Sequence, residues 1–232
     1  MDAAALYRLM TWLSPSFPVG SYSYSHGLEY AVEAGLVWNR TTLEDWVKAI
    51  IQDGSGHIDA ILFCAAYRAF RETEGSASWS LPEVVETAQA MRGSAEQMVE
   101  SQDQGRAFLD AVRGAWPSPE LERWAQDLAD RQMAPAYPVA VAFACAVNQI
   151  PMEIALSAYL HAFVASLVSA GMRLIPLGQM DGQKVMAALE APVITATQVA
   201  LGCPLEDLGA ATPMVDWTSM RHETQYTRLF RS

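Results

Sequence analysis

The feature that most narrows what this chain can fold into is the rhythm of its breakers. Proline, glycine and capping residues divide it into stretches of about ten to twenty residues, and inside them the apolar positions recur at steps of three and four. That period belongs to helices, and strand signals do not recur beside it. Ala4 to Leu13 reads as a short helix stopped by Ser14-Pro15-Ser16-Phe17-Pro18-Val19-Gly20. A second covers about Ser25 to Ala34 and stops at Gly35. Thr41-x-x-Glu44 and Ser80-x-x-Glu83 have the form of capping boxes, in which hydroxyl and carboxylate satisfy free backbone N–H groups. The first box opens a helix carrying Leu43, Trp46, Val47, Ile50 and Ile51, interrupted at Gly54-Ser55-Gly56. A further helix spans about Ile58 to Phe70, and residues 71–80 read as a loop.

After Ser80 comes the cleanest period: Val84, Ala88, Met91, Ala95, Met98, Gln102, Gly105, Leu109 and Val112 predict one continuous seam. Its Ala and Gly members allow close helix approach, within the chain or in a dimer. Trp116-Pro117-Ser118-Pro119 closes that helix and caps the next, and Pro135 and Pro138 open another. Ile154 to Ile175 is the most apolar stretch. It is long enough for a membrane span, but His161, Arg173 and several serines make it a central bundle helix, apolar nearly all round. A last helix is expected over about Gln179 to Leu201, kinked or split by Pro192, with loop and tail after Gly202. The expectation is an all-α, single-domain bundle of roughly eight to ten helices over residues 1–209, with a C-terminal tail at 210–232.

Composition excludes several function classes. Hydrophobic residues make up 51% and charged residues 18%, which argues for a packed core. A formal net charge of −11 is the opposite of a nucleic-acid footprint. Cys64, Cys145 and Cys203 sit far apart in apolar stretches and read as buried thiols. With no basic n-region before Arg8, they point to a reducing, cytoplasmic location. His26, His57, His161 and His222 form no zinc signature, no C-x-x-C is present, and Gly178 to Lys184 does not make a phosphate loop. Ser25, His26 and Glu29 would be the residues of a hydrolase, but Ser25 lacks the glycine two positions before it that a nucleophile elbow needs. The expectation is therefore no catalytic residue, no cofactor and no metal ligand. One segment stands out: the last twelve residues, from Arg221, hold three arginines against one glutamate, together with Tyr226, Leu229 and Phe230. Arginine with aromatic residues is the composition of interface anchors.

Three blocks carry a family resemblance. Ser14 through Glu29 is close to S-P-x-x-P-V-G-x-[FY]-S-[YW]-S-Q-G-L-E, with His26 where Gln is usual. Ala170-Gly171-Met172-Arg173-Leu174-Ile175-Pro176-Leu177-Gly178-Gln179 is the second, with Arg173 where some relatives have Lys. The third is the ending, Ser219 to Ser232, similar to S-x-R-H-E-T-Q-Y-x-R-L-F-R-S. The chain thus resembles the UreF family of urease accessory proteins. The resemblance implies an all-α homodimer that is not an enzyme. It joins UreD (UreH in some organisms) and the GTPase UreG in delivering nickel to apo-urease, with neither nucleic acid nor membrane as partner. It further implies that Arg221, His222, Glu223, Gln225, Tyr226, Arg228, Leu229, Phe230 and Arg231 dock UreD/UreH. Glu29, Arg173 and Gln179 are the expected contacts to UreG, with Arg173 acting on its GTPase. A nickel carrier is the alternative.

Overall fold

In the computed structural model, which describes residues 1–71 and 78–232, the chain folds as an all-α bundle. Most of the loop expected at 71–80 lies outside the described residues. Twelve α-helices are present among them: α1 (Ala3–Trp12), α2 (Leu28–Glu33), α3 (Arg40–Asp53), α4 (Ser55–Arg71), α5 (Leu81–Ala90), α6 (Ala95–Ala115), α7 (Pro119–Asp130), α8 (Tyr137–Val147), α9 (Met152–Leu174), α10 (Gln179–Ala188), α11 (Glu190–Gly202) and α12 (Pro213–His222). The count passes the sequence expectation because two predicted helices are divided and the tail contains a helix of its own.

The caps follow local chemistry. Ser80 and Glu83 form the expected box: the Ser80 N–H donates to Glu83 Oε2 at 2.8 Å and holds that carboxyl below its ordinary range. The first box is displaced. Asn39, not Thr41, caps α3, its Oδ1 accepting the Thr42 N–H at 2.9 Å while Thr42 Oγ1 accepts the Asn39 N–H at 3.1 Å. Asparagine outranks threonine as a cap, and Thr42 replaces the glutamate. Pro192 lies in the first turn of α11, where the missing N–H costs nothing, and the division falls just before it at Leu189.

The predicted seam is also divided, because tertiary bonds compete for residues 91–94. The Arg92 guanidinium reaches the buried Asp59 carboxylate at 2.7 Å, and the Tyr159 hydroxyl donates to the other oxygen of Asp59 at 2.7 Å. Ser94 then caps α6 by accepting the Gln97 N–H. A buried ion pair with both carboxylate oxygens of Asp59 engaged competes with the continuity of one helical turn.

The central position belongs to α8, not α9. Every residue from Pro138 to Ala146 is buried, whereas only half of the apolar window of α9 is. Alternating small residues, Ala140, Ala142, Ala144 and Ala146, let α4 and α6 close on α8 from two sides. The Gln179–Gly202 stretch also has the length and apolarity of a membrane span and is one-third buried, packing on α9 and α3. Aromatic edges close the other end, with Trp12 of α1 6.1 Å from Phe108 and 5.8 Å from Trp116.

The thiols differ from one another. Cys64 and Cys145 are buried, and burial pushes the Cys64 thiol up to about 12. Cys203, expected to be buried, is partly exposed, because it is the C-cap of α11 and lies past the last buried turn of that helix. A maleimide at neutral pH should therefore modify one thiol per folded chain, Cys203, and all three after denaturation. Mass spectrometry reads the difference, and fast labelling of Cys64 in the folded chain would contradict the packing described.

Candidate partner-docking face

The Ser14–Glu29 block is shaped by reversed backbone. Gly20, His26 and Gly27 have φ of 75°, 57° and 77°, a region where glycine costs nothing and histidine is strained. At Gly27 the second requirement is space: a Cβ would lie 2.8 Å from the Ser219 backbone nitrogen. The block therefore touches α12 directly, and Ser219 Oγ meets Ser94 Oγ at 2.6 Å.

Two residues after Gly27, in the first turn of α2, Glu29 is 9% exposed and spends both carboxylate oxygens on the C-terminal segment. Oε1 accepts the Leu229 N–H at 2.7 Å, and Oε2 accepts the Phe230 N–H at 2.9 Å while lying 3.1 Å from His222 Nε2. On the other side of the imidazole, Nδ1 lies 2.7 Å from Glu96 Oε2, and Glu96 Oε1 holds Arg228 at 2.7 Å. Backbone bonds continue the attachment, from Arg231 N–H to the Ser23 carbonyl and from Ser25 N–H to the Ser232 carbonyl, both 2.8 Å. The Ser25 hydroxyl donates to that same carbonyl. His26 turns elsewhere, its Nε2 2.6 Å from Ser55 Oγ, so Ser25 and His26 are not paired as nucleophile and base.

The third block joins at Arg173. Its guanidinium carbon stands 3.8 Å from the Tyr22 ring centroid and 4.2 Å from that of Phe230, stacked between one residue of the first block and one of the tail. Beneath it is a cavity of about 190 Å³ lined by Leu13, Val19, Tyr22, Phe163, Leu167 and Arg173 among others. At the edge, Arg231 stands 3.5 Å from Asp103, which accepts from the Tyr24 hydroxyl at 3.3 Å. Burial foremost raises that hydroxyl to about 12, with Arg231 opposing.

The residues predicted from sequence thus converge, in a different arrangement from two separate faces. Glu29 and Arg173 touch the tail. Gln179 is exposed at the start of α10. Within the tail, His222 and Phe230 face inward, Glu223 accepts the Ala95 N–H at the start of α6, and Gln225 binds Glu33. Arg221 donates to the Tyr30 hydroxyl. Tyr226, fully exposed, and Leu229, 65% exposed, face outward beside Arg228 and Arg231. Sequence reasoning missed Glu96, Glu100 and Asp103, the acids that receive the tail. Their signal was present as spacing: positions i, i+4 and i+7 put all three on one face of α6. Among the described residues, no group of three His, Cys, Asp or Glu side chains is placed to hold a metal ion.

A family model for UreF matches residues 37–190. The chain belongs to the UreF family. Curated relatives extend the match over both remaining blocks. A protein of Rhodopseudomonas palustris (strain TIE-1) is 51% identical over 231 residues, 100% of this chain and 94% of the relative. One of Bradyrhizobium diazoefficiens is 49% identical over 100% and 93%. One of Magnetococcus marinus is 48% identical over 99% and 98%. Each is named urease accessory protein UreF. Residues 37–190 include Arg173 and Gln179, so the family assignment of the first block and the tail rests on the full-length relatives.

Proposed function

We propose that the chain is a non-enzymatic scaffold in the nickel-dependent maturation of urease. It docks a UreD/UreH subunit through its C-terminal segment and the GTPase UreG through the neighbouring surface around Arg173 and Gln179, as a cytoplasmic homodimer. One observation carries the reading: the C-terminal segment is built onto the body by Glu29 and Glu96, with Tyr226 and Leu229 turned outward between arginines. Large apolar side chains held in place by buried ionic bonds serve no purpose in the monomer's core, and they bind a partner at low entropic cost. Arg173, stacked on two rings, is presented in one orientation, which suits a charge-guided contact that orders the GTPase. The homodimer reading is supported by α11, whose outer Ile194 and Val199 are 52% and 50% exposed.

Removing everything after Thr218 would be a poor test, because it also deletes the buried Ser219 and His222. The double variant Tyr226→Ala/Leu229→Ala alters only the outer surface. Co-expressed with UreD/UreH, UreG and apo-urease, it should melt like the wild type, bind UreD/UreH at least about a hundredfold more weakly, and support little urease activation. Undiminished binding and activation would sink the docking assignment. Stoichiometric nickel uptake by the isolated chain in equilibrium dialysis would favour a carrier instead.

A further inference from the structure

Arg173 pairs with no carboxylate among the described residues. Its Nε donates one turn back along α9, to the Ser169 carbonyl at 3.3 Å, and the Tyr22 and Phe230 rings hold the guanidinium there, at the cavity of about 190 Å³. The remaining guanidinium N–H donors are fixed in place and left for an anion. The inner end of the cavity has the opposite character. Gln104 of α6 lines it and is 6% exposed. Its Nε2 donates to Glu100 Oε1 at 3.3 Å, so the amide turns Oε1 the other way, and no donor among the described residues reaches that oxygen. Beside it the lining residue Tyr137, whose N–H donates to Ser101 of α6, has no partner for its hydroxyl among the described residues. The Tyr137 ring stands 5.5 Å from that of Tyr159, which places this end near Ala162 on α9. From there to the level of Ser169 is two turns of helix, roughly 10 Å. Between the ends the walls are apolar, with Val19 from the first block and Phe163 and Leu167 from α9. An apolar cavity of about 150 Å³ accepts one benzene, so this one has room for a single ring with a short chain and none for fused rings.

We propose that this cavity binds a small hydroxyaryl carboxylate, with the carboxylate on Arg173, the ring between Val19, Phe163 and Leu167, and the ring hydroxyl donating to Gln104 Oε1. Charge sets the orientation. Glu100, whose oxygens already serve Gln104 and Ser232, makes the inner end negative and turns an anionic head toward Arg173. Two fixed polar ends select on length as well as on charge, because a ligand without the inner donor leaves Gln104 unpaired in a closed site. The binding does not rest on the docking reading. Only its consequence does: a carboxylate on Arg173 neutralises the charge offered to UreG, so an occupied cavity should weaken that contact.

The test is calorimetric titration of the intact chain, without partner, with para-hydroxyphenylpropionate and with two compounds that each lack one feature: phenylpropionate, without the hydroxyl, and para-ethylphenol, without the carboxylate. The first should bind saturably, one per chain. Phenylpropionate should bind about tenfold more weakly, and para-ethylphenol at least about tenfold more weakly. Gln104→Leu should bind the two acids equally, and Arg173→Gln should lose the preference for the hydroxylated acid over the phenol. Loss of packing alone would weaken all three compounds together and leave those ratios unchanged. Wild-type NMR supplies a second readout that does not depend on a variant folding: para-hydroxyphenylpropionate should shift Phe163, Leu167 and the Arg173 Nε–H, and leave Ile194 and Val199 of α11 unmoved. No saturable binding, equal binding of all three compounds, or preferences unchanged in both variants would overturn the proposal. So would shifts at Phe163 and Leu167 produced by UreG and by none of the three compounds, which would give the cavity to a partner's side chain. The docking reading fails separately, if Tyr226→Ala/Leu229→Ala still binds UreD/UreH.

Discussion

Glu29→Ala should release the C-terminal segment and lower the stability of the whole chain by about 3–5 kcal/mol, the range for breaking a buried, hydrogen-bonded ionic contact from one side. Three groups lose their partner at once: the Leu229 and Phe230 amides lose their acceptor, and His222 Nε2 loses the carboxylate 3.1 Å away. A charge-assisted hydrogen bond contributes about 1.5–3 kcal/mol, and a buried donor left without a partner adds its own desolvation cost. The three losses are not additive, because the released segment rehydrates its amides. His222, fully buried on α12, cannot do so without unfolding the helix from α2. The melting temperature should fall by about 6–20 °C for a chain of this size, and exchange protection at Leu229 and Phe230 should disappear. Arg173 loses one of its two stacked rings when Phe230 leaves, so the variant should fail with UreG as well as with UreD/UreH. Glu29→Gln keeps an acceptor oxygen and should fall in between. If Glu29→Ala melted like the wild type and kept both amides protected, the tail would be held by something other than this carboxylate.

What the sequence revealed, and what it hid, divides by range. Ser80 and Glu83 lie within one turn, so their box can be read from the letters alone. The displaced cap at Asn39 was a contest between two local candidates, and the stronger hydrogen-bonding side chain won. The break between α5 and α6 could not be read, because it depends on Asp59 receiving Arg92 from another helix. The tail was legible as arginine with aromatic residues and looked like a loose end. Its attachment needs Glu29 and Glu96, which a local reading has no means of bringing to His222. The family blocks compensated in part. They named Glu29, Arg173 and the tail but assigned them to two different partner faces, and the contact among them appears only once α2, α6, α9 and α12 are packed.

Two glycines of α6 should answer the same substitution with opposite signs. Gly105→Ala should destabilise the chain by about 2 kcal/mol or more, while Gly114→Ala should stabilise it by about 0.5–1 kcal/mol. In an exposed helix interior, alanine gains up to about 1 kcal/mol over glycine from backbone entropy. At Gly114 nothing lies within 4 Å of the added Cβ, so that gain stands alone. At Gly105 the Cβ would overlap the Pro135 carbonyl oxygen and lie 2.9 Å from the carbonyl carbon of Ala136. These are backbone atoms at the entry to α8, not the ends of side chains that can rotate away. Relief requires α6 and α8 to part, and that opens the core around Phe108, Val139 and Val112. Overpacking costs of about 1–3 kcal/mol or more exceed the entropy gain, so the sign reverses. The glycine that the sequence marked, with the seam's alanines, as allowing close helix approach is then the point where α6 meets the backbone leading into α8. Thermal or denaturant melts of the two variants side by side decide it. Equal stabilisation of both would mean that α6 and α8 stand farther apart than described, and with them the acid face of α6 that receives the tail.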